Sequence, residues 1–427
     1  MNILLTLWCA LLITSIPLSH SATILSIPLY NRAMLKYDTF KPHARFHYYP
    51  NTKVISDIYS ADDAYAMFLW VGTPVQIVFV MIDTGSPITW FQCDPCSNCY
   101  PMQRPPFNTR ASTSFKELGC YSDTCLIPMM RGIFGNCTGW TCRYNMQYEY
   151  DYANMSQSRS FGMMVTETLN FEHSNIQVKD FIMGCGDSYE GPFRTQFSGV
   201  FGLGRGPLSV QSQLHAKAFS FCVVSLGSEK PSSLEFYDTQ PPKTNQNGNT
   251  NGSIMVPLSE NNRYPYYYFV QFVGISINGF MLDIQSRVWG YGLNYDGGIV
   301  IDVGTVLTYL PGEAYSVFRS EILKTNGNLT KKSGFEELEF CYKEDPTNVY
   351  PTIEFFFQNG DIAGLNFVSF KLDNNQLLLQ VEEGTVCLSF AEGKDSALTV
   401  IGSNNLQGTL LTYDLVNEIL VFTYNKC

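Results

Sequence analysis

Apolar residues in this chain recur with a period of two, or in short continuous runs bounded by Gly, Pro, Asn and Asp. That is the pattern of β-strands separated by tight turns. Residues 64–72 (AYAMFLWVG) form one such run, and Thr73-Pro74 leads into a second that ends on Asp83. Residues 144–171 alternate and are rich in Tyr and Thr, which predicts a hairpin. Residues 266–275 (YYYFVQFVGI) restart the strand pattern in the second half. Helical signals are few. Pro207 opens a short predicted helix through Leu214, with Pro at a favourable first-turn position, and Gly312 to Ile322 reads as another. The predicted class is mostly β.

The pattern repeats itself. VMIDTGS at 80–86 returns as IVIDVGT at 299–305, and ITWF at 88–91 returns as LTYL at 307–310. Further on, Val200-Phe201-Gly202 is echoed by Val400-Ile401-Gly402. Each half therefore runs in the same order, from an Asp loop through strands to an apolar-apolar-Gly turn. A single Asp-x-Gly-Ser/Thr is an ordinary turn. Two copies with matched flanks predict two like halves that bring Asp83 and Asp302 together.

Paired carboxylates carry a specific chemistry. At hydrogen-bonding distance they cannot both ionise easily, and they share a proton. The ionised member takes a proton from water while the protonated member donates to a carbonyl oxygen. Peptide hydrolysis then needs no metal and no cofactor. Gly85 and Gly304 allow tight loops, and Ser86 and Thr305 are placed to orient the outer carboxylate oxygens. Other schemes lack residues. Only His173 and His215 lie beyond residue 60, and neither sits in a recognisable nucleophilic or zinc motif.

Composition adds the setting. Residues 1–21 carry a short apolar run followed by small residues, read as a secretory signal although no Lys or Arg precedes the run. No later run reaches membrane length, and no hydrophobic tail precedes Cys427, so no membrane anchor is expected. Beyond Cys9, twelve cysteines remain, an even number suited to six disulfides in a secreted chain. Disulfides are favoured over zinc for Cys93, Cys96 and Cys99, whose spacing alone admits both. Sequons stand at Asn136, Asn154, Asn251 and Asn328. Residues 22–60 are basic, aromatic and free of Cys, and are read as a prosegment. The net charge is −11, and with +3 on residues 22–60 the remainder carries −14, which disfavours nucleic acid. The polar stretch 228–252 is read as the junction of the halves. The expected domains are 61–255 (Asp83 loop, Cys-rich insert, flap) and 256–427 (Asp302 loop).

These loops, with the two apolar-apolar-Gly turns, resemble the pepsin-type aspartic proteases. The run Trp90-Phe91-Gln92-Cys93-x-x-Cys96-x-x-Cys99, the Gly184-Cys185-Gly186 element, GLGRGPLS at 202–209 and FSFC at 219–222 resemble the plant nepenthesin-like branch. The resemblance covers residues 61–427. It implies a bilobal β fold of two pseudo-symmetric barrel lobes around a substrate cleft, a monomer acting on peptide or protein substrates, and a zymogen held by its own prosegment. It also implies the disulfides Cys93–Cys96, Cys99–Cys185, Cys120–Cys142, Cys125–Cys137, Cys222–Cys427 and Cys341–Cys387.

Two departures stand out. The family's flap carries a Tyr that a Trp, here Trp90, hydrogen-bonds. The usual flap sequence is absent, and about six extra residues fall between Cys142 and Thr166. Counting from Cys142 points to Tyr148, with Tyr150 and Tyr152 as alternatives. The family also places a hydroxyl between Asp and Gly in both loops, each bonding the opposite loop. Thr84 keeps it; Val303 does not. The leading expectation is a secreted endopeptidase acting at acidic pH, in the apoplast or vacuole. The alternative is a catalytically weak or silent relative that binds or inhibits proteins.

Overall fold

The computed structural model describes the strand Thr23–Asn31 and residues 64–122, 125, 136–151, 156–171, 177–225, 232–237, 252–290, 297–325, 329–359, 367–393 and 398–424. The signal region, residues 32–63, Tyr152, Asn154, Asn251, Asn328 and Cys427 lie outside them, and of Asn136 and Tyr150 only the backbone is described.

The molecule is mostly β and two-lobed, and the duplication read in the sequence is a duplication of topology. In the first half, Tyr65–Val71 pairs antiparallel with Gln76–Asp83. Gly199–Gly202 then runs parallel to Gln76–Asp83, with Gly202 opposite Asp83, and antiparallel to Trp90–Asp94. In the second half, Leu398–Ile401 runs parallel to Gly298–Ile301 and antiparallel to Thr308–Pro311. A further parallel partner flanks each motif: Gln177–Glu190 beside Trp90–Asp94, and Phe390–Gly393 beside Thr308–Pro311. Val80 and Ile82, like Ile299 and Ile301, are buried, which is why the two Asp strands read as continuous apolar runs rather than alternating ones.

Gly202 and Gly402 are required by packing. A Cβ on Gly202 would stand 2.3 Å from the Ile88 carbonyl oxygen, and one on Gly402 2.2 Å from that of Leu307. Their amides are received by the hydroxyls of Thr89 and Thr308, each at 3.1 Å. The apolar-apolar-Gly turn is therefore the point where one strand dives beneath the Asp loop of its own half.

The halves share a sheet. Six antiparallel strands lie side by side in the order Thr23–Asn31, Ser232–Tyr237, Ala218–Val223, Thr409–Asp414, Ile419–Thr423 and Ser253–Ser259. The seam between halves is the pairing of Ala218–Val223 with Thr409–Asp414, where Phe219 faces Tyr413 and their rings stack at 4.5 Å. The expected boundary at 255/256 falls inside the last of these strands. The first of them belongs to the expected prosegment and also touches Tyr65 and Ala66.

Thr141–Asp151 and Ser156–Asn170 form the predicted hairpin, with Tyr148 opposite Ser158. The helix expected over 207–214 is a single turn, Val210–Gln213, because Ser209 occupies the N-cap position and Pro207 lies outside it. Gly312–Thr325 is helical, three residues longer than expected.

The disulfides correct the pairing that the resemblance implied. Cys93 bonds Cys185 rather than Cys96, and Cys96 bonds Cys99. Cys93 and Cys185 lie on adjacent parallel strands and point into one core cluster, whereas Cys96 lies beyond the end of its strand at Asp94. Cys120 bonds Cys137 and Cys125 bonds Cys142, the reverse of the expected partners. Cys125 packs against the cluster that holds the buried Cys142, and Cys137, opposite Cys142 on the hairpin, is left to reach Cys120. Cys341–Cys387 joins facing residues of neighbouring strands. Cys222 is disulfide-bonded; Cys427, its expected partner, lies outside the described residues.

Candidate active site

Asp83 and Asp302 end equivalent strands, and the loops that follow them meet. The surroundings of the two carboxylates are related by the internal symmetry. Asp83 Oδ1 accepts from the Gly85 amide at 2.6 Å, and its Oδ2 accepts from Ser86 Oγ at 2.5 Å. Asp302 Oδ1 accepts from the Gly304 amide at 3.1 Å, and its Oδ2 accepts from Thr305 Oγ1 at 2.7 Å. Both loop backbones are also pinned by amides that follow the apolar-apolar-Gly turns. Leu203 N donates to the Asp83 carbonyl, Gly204 N to that of Ser86, and Ser403 N to that of Thr305.

The two acids are 6 % and 8 % exposed and neighbour each other where the loops meet. A Cβ on Gly304 would lie 2.6 Å from Asp83 Oδ1, so the second loop needs glycine for Asp83 to come this near. Burial, and then the neighbouring Asp302 carboxyl, raises the Asp83 pKa far above the usual carboxylate range, against the opposing pull of the Ser86 and Gly85 hydrogen bonds. Two buried carboxyls at this separation hold one proton between them over a wide pH range.

The bridge between the loops is one-sided. Val303 N donates to Thr84 Oγ1 at 3.0 Å, and Thr84 Oγ1 donates to Asp302 Oδ1, also at 3.0 Å. Val303 is buried, at 2 % exposure, and has no hydroxyl to return the contact.

Tyr148 comes down onto the site from the hairpin. Its hydroxyl receives the Trp90 indole N–H, and Ser86 Oγ stands 3.4 Å away. Trp90, Tyr148, Ser86 and Asp83 thus form one polar chain from the hairpin to the dyad, and the Trp90 and Tyr148 rings pack at 5.8 Å. The extra flap residues lengthen the hairpin arms beyond Tyr148.

Some site residues carried no readable role in the sequence. Thr89 and Thr308 stood in the repeated flanks, but their partners are the amides of Gly202 and Gly402. Tyr267 lies against the site, since a Cβ on Gly85 would meet its ring at 3.0 Å. Gln211 ties the turn at 203–204 to the second half, donating to the Leu203 and Gly204 carbonyls and to the Tyr268 hydroxyl. Among the described residues, no cluster of His, Cys, Asp or Glu is arranged to hold a metal ion, and no helix is long and apolar enough to cross a membrane.

Comparison with known proteins gives consistent relatives. Residues 65–236 match the family model described as xylanase inhibitor N-terminal, and residues 267–424 the one described as xylanase inhibitor C-terminal. The chain is 32% identical to aspartic proteinase nepenthesin-1 of Nepenthes gracilis, over 88% of this chain and 80% of that protein. It is 30% identical to the protein Aspartic Protease in Guard Cell 2 of Arabidopsis thaliana, over 88% of this chain and 75% of that one. Among solved structures, edgp superposes with a TM-score of 0.65 at 17% identity, covering 84% of this chain and 91% of that one. Soybean basic 7S globulin superposes with a TM-score of 0.61 at 17% identity, covering 84% and 92%. The duplicated Asp loops, their shared sheet and these relatives together show that the chain belongs to the pepsin-like plant aspartic protease family.

Proposed function

We propose that the protein is an aspartic endopeptidase that hydrolyses peptide bonds at acidic pH through Asp83 and Asp302. The observation that carries this is the symmetric pair of buried acids, each fed by a glycine amide and a hydroxyl. A proton shared across the pair leaves one carboxylate to take a proton from water as the oxygen attacks the peptide carbon. The protonated partner donates to the carbonyl oxygen as it becomes tetrahedral. Collapse of that intermediate returns a proton to the leaving amine, and the carboxyls end as they began. Tyr148, held by Trp90, closes over the substrate and excludes bulk water. The chain's negative charge suits an acidic compartment, and we place the protein outside the cell or in the vacuole, made as a zymogen.

A second reading, a silent relative that binds or inhibits other proteins, is favoured by Val303 and by the inhibitor halves after which the matching family models are named. The intact acids oppose it, because a binder needs neither. The test is cleavage of a denatured protein substrate at pH 3–5 with and without pepstatin. Pepstatin-sensitive cleavage is expected; its absence, with binding of a folded protein partner retained, would support the second reading.

A further inference from the structure

Arg205 follows directly on the turn that pins the Asp83 loop. Leu203 N and Gly204 N donate to the carbonyls of Asp83 and Ser86, and a Cβ on Gly204 would lie 2.7 Å from the Ser86 carbonyl oxygen. Turn and loop therefore touch without slack, and a shift of one is passed to the other. Arg205 itself reaches into the second half. Its backbone N–H donates to the Tyr266 carbonyl at 2.7 Å. Its guanidinium donates to Glu418 Oε2 at 2.7 Å, to Glu260 Oε1 at 3.3 Å and to the Ser259 carbonyl at 3.4 Å, and it stands over the Tyr268 ring, 5.9 Å from its centre.

Two observations separate this clamp from an ordinary surface ion pair. Fully exposed pairs contribute little, but the Arg205 side chain is only 15 % exposed, where water screens its charge less. The second observation is the backbone of Glu418. Its φ is 53°, a left-handed conformation that glycine or asparagine takes more readily. Glu418 sits in the turn between Thr409–Asp414 and Ile419–Thr423 of the shared sheet, and its carbonyl receives the Leu258 amide at 2.8 Å. A glutamate there forgoes the easier backbone and gains the contact with Arg205. The guanidinium spreads its donors across a plane, and so reaches three acceptors while lying over a ring; a lysine ammonium is a point charge without that fork.

We propose that Arg205 is a positioning residue for the dyad: it clamps the turn that pins the Asp83 loop onto the second half, and thereby fixes where Asp83 stands against Asp302. The bridge through Thr84 ties the two loops from one side only, and Arg205 adds a second tie between the halves that ends on the Asp83 loop. Removing the guanidinium leaves both acids in the chain but lets the Asp83 loop drift from its partner. A small misplacement of reacting groups lowers the rate of the chemical step more than it weakens binding. The kinetic consequence rests on the protease reading; the spacing of the two acids does not.

The test uses the full chain as wild type, Arg205→Gln, Arg205→Lys, Glu418→Gln and the double variant Arg205→Gln with Glu418→Gln. Peptide-cleavage kinetics are read well below the melting temperature of each protein. Arg205→Gln is expected to lower kcat about tenfold with KM within about twofold. Arg205→Lys and Glu418→Gln each lower kcat about threefold, and the double variant falls no further than Arg205→Gln alone. A lower melting temperature with kcat unchanged makes the clamp merely structural and overturns the proposal. Multiplied losses in the double variant overturn it as well, because Arg205 then does not act through Glu418. The second readout needs no catalysis. Asp83→Asn is introduced into wild type and into Arg205→Gln, and the change in melting temperature at pH 7 is compared. Relief of the buried acid pair raises it in wild type, and the gain shrinks by about half or more in Arg205→Gln, where the acids stand further apart. An equal gain in both backgrounds overturns the proposal. A wild type with no peptidase activity sinks the protease reading alone, and the melting comparison then decides the role of Arg205.

Discussion

Thr84→Val isolates the interloop bridge, because it deletes one oxygen and keeps the shape of the side chain. Three contributions are lost with that oxygen. The Val303 amide loses its acceptor at 3.0 Å, a neutral bond worth about 1 kcal/mol. The Asp302 carboxyl loses a donor at 3.0 Å, worth about 2 kcal/mol because the acceptor is ionisable. The amide of Val303, a residue only 2 % exposed, is then left buried without a partner, which takes the total to about 3–4 kcal/mol. Val303 cannot compensate, so the whole loss is expected to appear. Urea unfolding at pH 5 measures it, with Thr84→Ser as the control that keeps the hydroxyl and stays within about 1 kcal/mol of wild type. The exchanged pair Thr84→Val with Val303→Thr moves the hydroxyl to the other loop and is expected to recover about half of the deficit by symmetry. A Thr84→Val loss under about 0.5 kcal/mol, or a Thr84→Ser loss as large as that of Thr84→Val, would refute the reasoning.

Three more outcomes follow from the geometry. The folded-state pKa of Asp83 is raised, so its stabilising share is complete below the unfolded carboxylate pKa of about 4 and is lost as pH rises through the folded value. Asp83→Asn removes that dependence: its melting temperature should exceed wild type at pH 7 and the gap should close at pH 4, whereas parallel curves would contradict the burial argument. Tyr148→Phe strands the Trp90 indole N–H, which is 1 % exposed on its residue, and should reduce kcat/KM about tenfold; unchanged kinetics would remove Tyr148 from the flap role. Peptide mapping of the non-reduced protein should recover Cys93–Cys185, Cys120–Cys137 and Cys125–Cys142, and recovery of Cys93–Cys96 would contradict the strand placement.

The fold class and the meeting of Asp83 with Asp302 were legible because duplication writes the same loop twice, and the repeated flanks exclude an isolated turn. Tyr148 could be counted out from Cys142, since residues inserted beyond it lengthen the hairpin without moving its base. What stayed hidden depends on which strands lie side by side. The partner of Cys93 is set by its register against Gly184–Gly186, 92 residues away, and spacing within the Cys-rich run says nothing of that. Thr89 and Thr308 were visible as an echo, yet their work is on glycine amides 113 and 94 residues distant. The strand Thr23–Asn31 was hidden in the same way, in a segment read from its basic charge, its aromatic content and its lack of Cys.

The central claim is that Asp83 and Asp302 together perform acid proteolysis. Its most direct measurement is the initial rate at pH 4 on a denatured protein substrate for wild type, Asp83→Asn and Asp302→Asn side by side. Wild type is expected to cleave, and both variants are expected to lose activity by at least about a thousandfold, because each removes one of two obligatory proton carriers. Cleavage that persists in either variant, or a wild type no faster than both, would contradict the account.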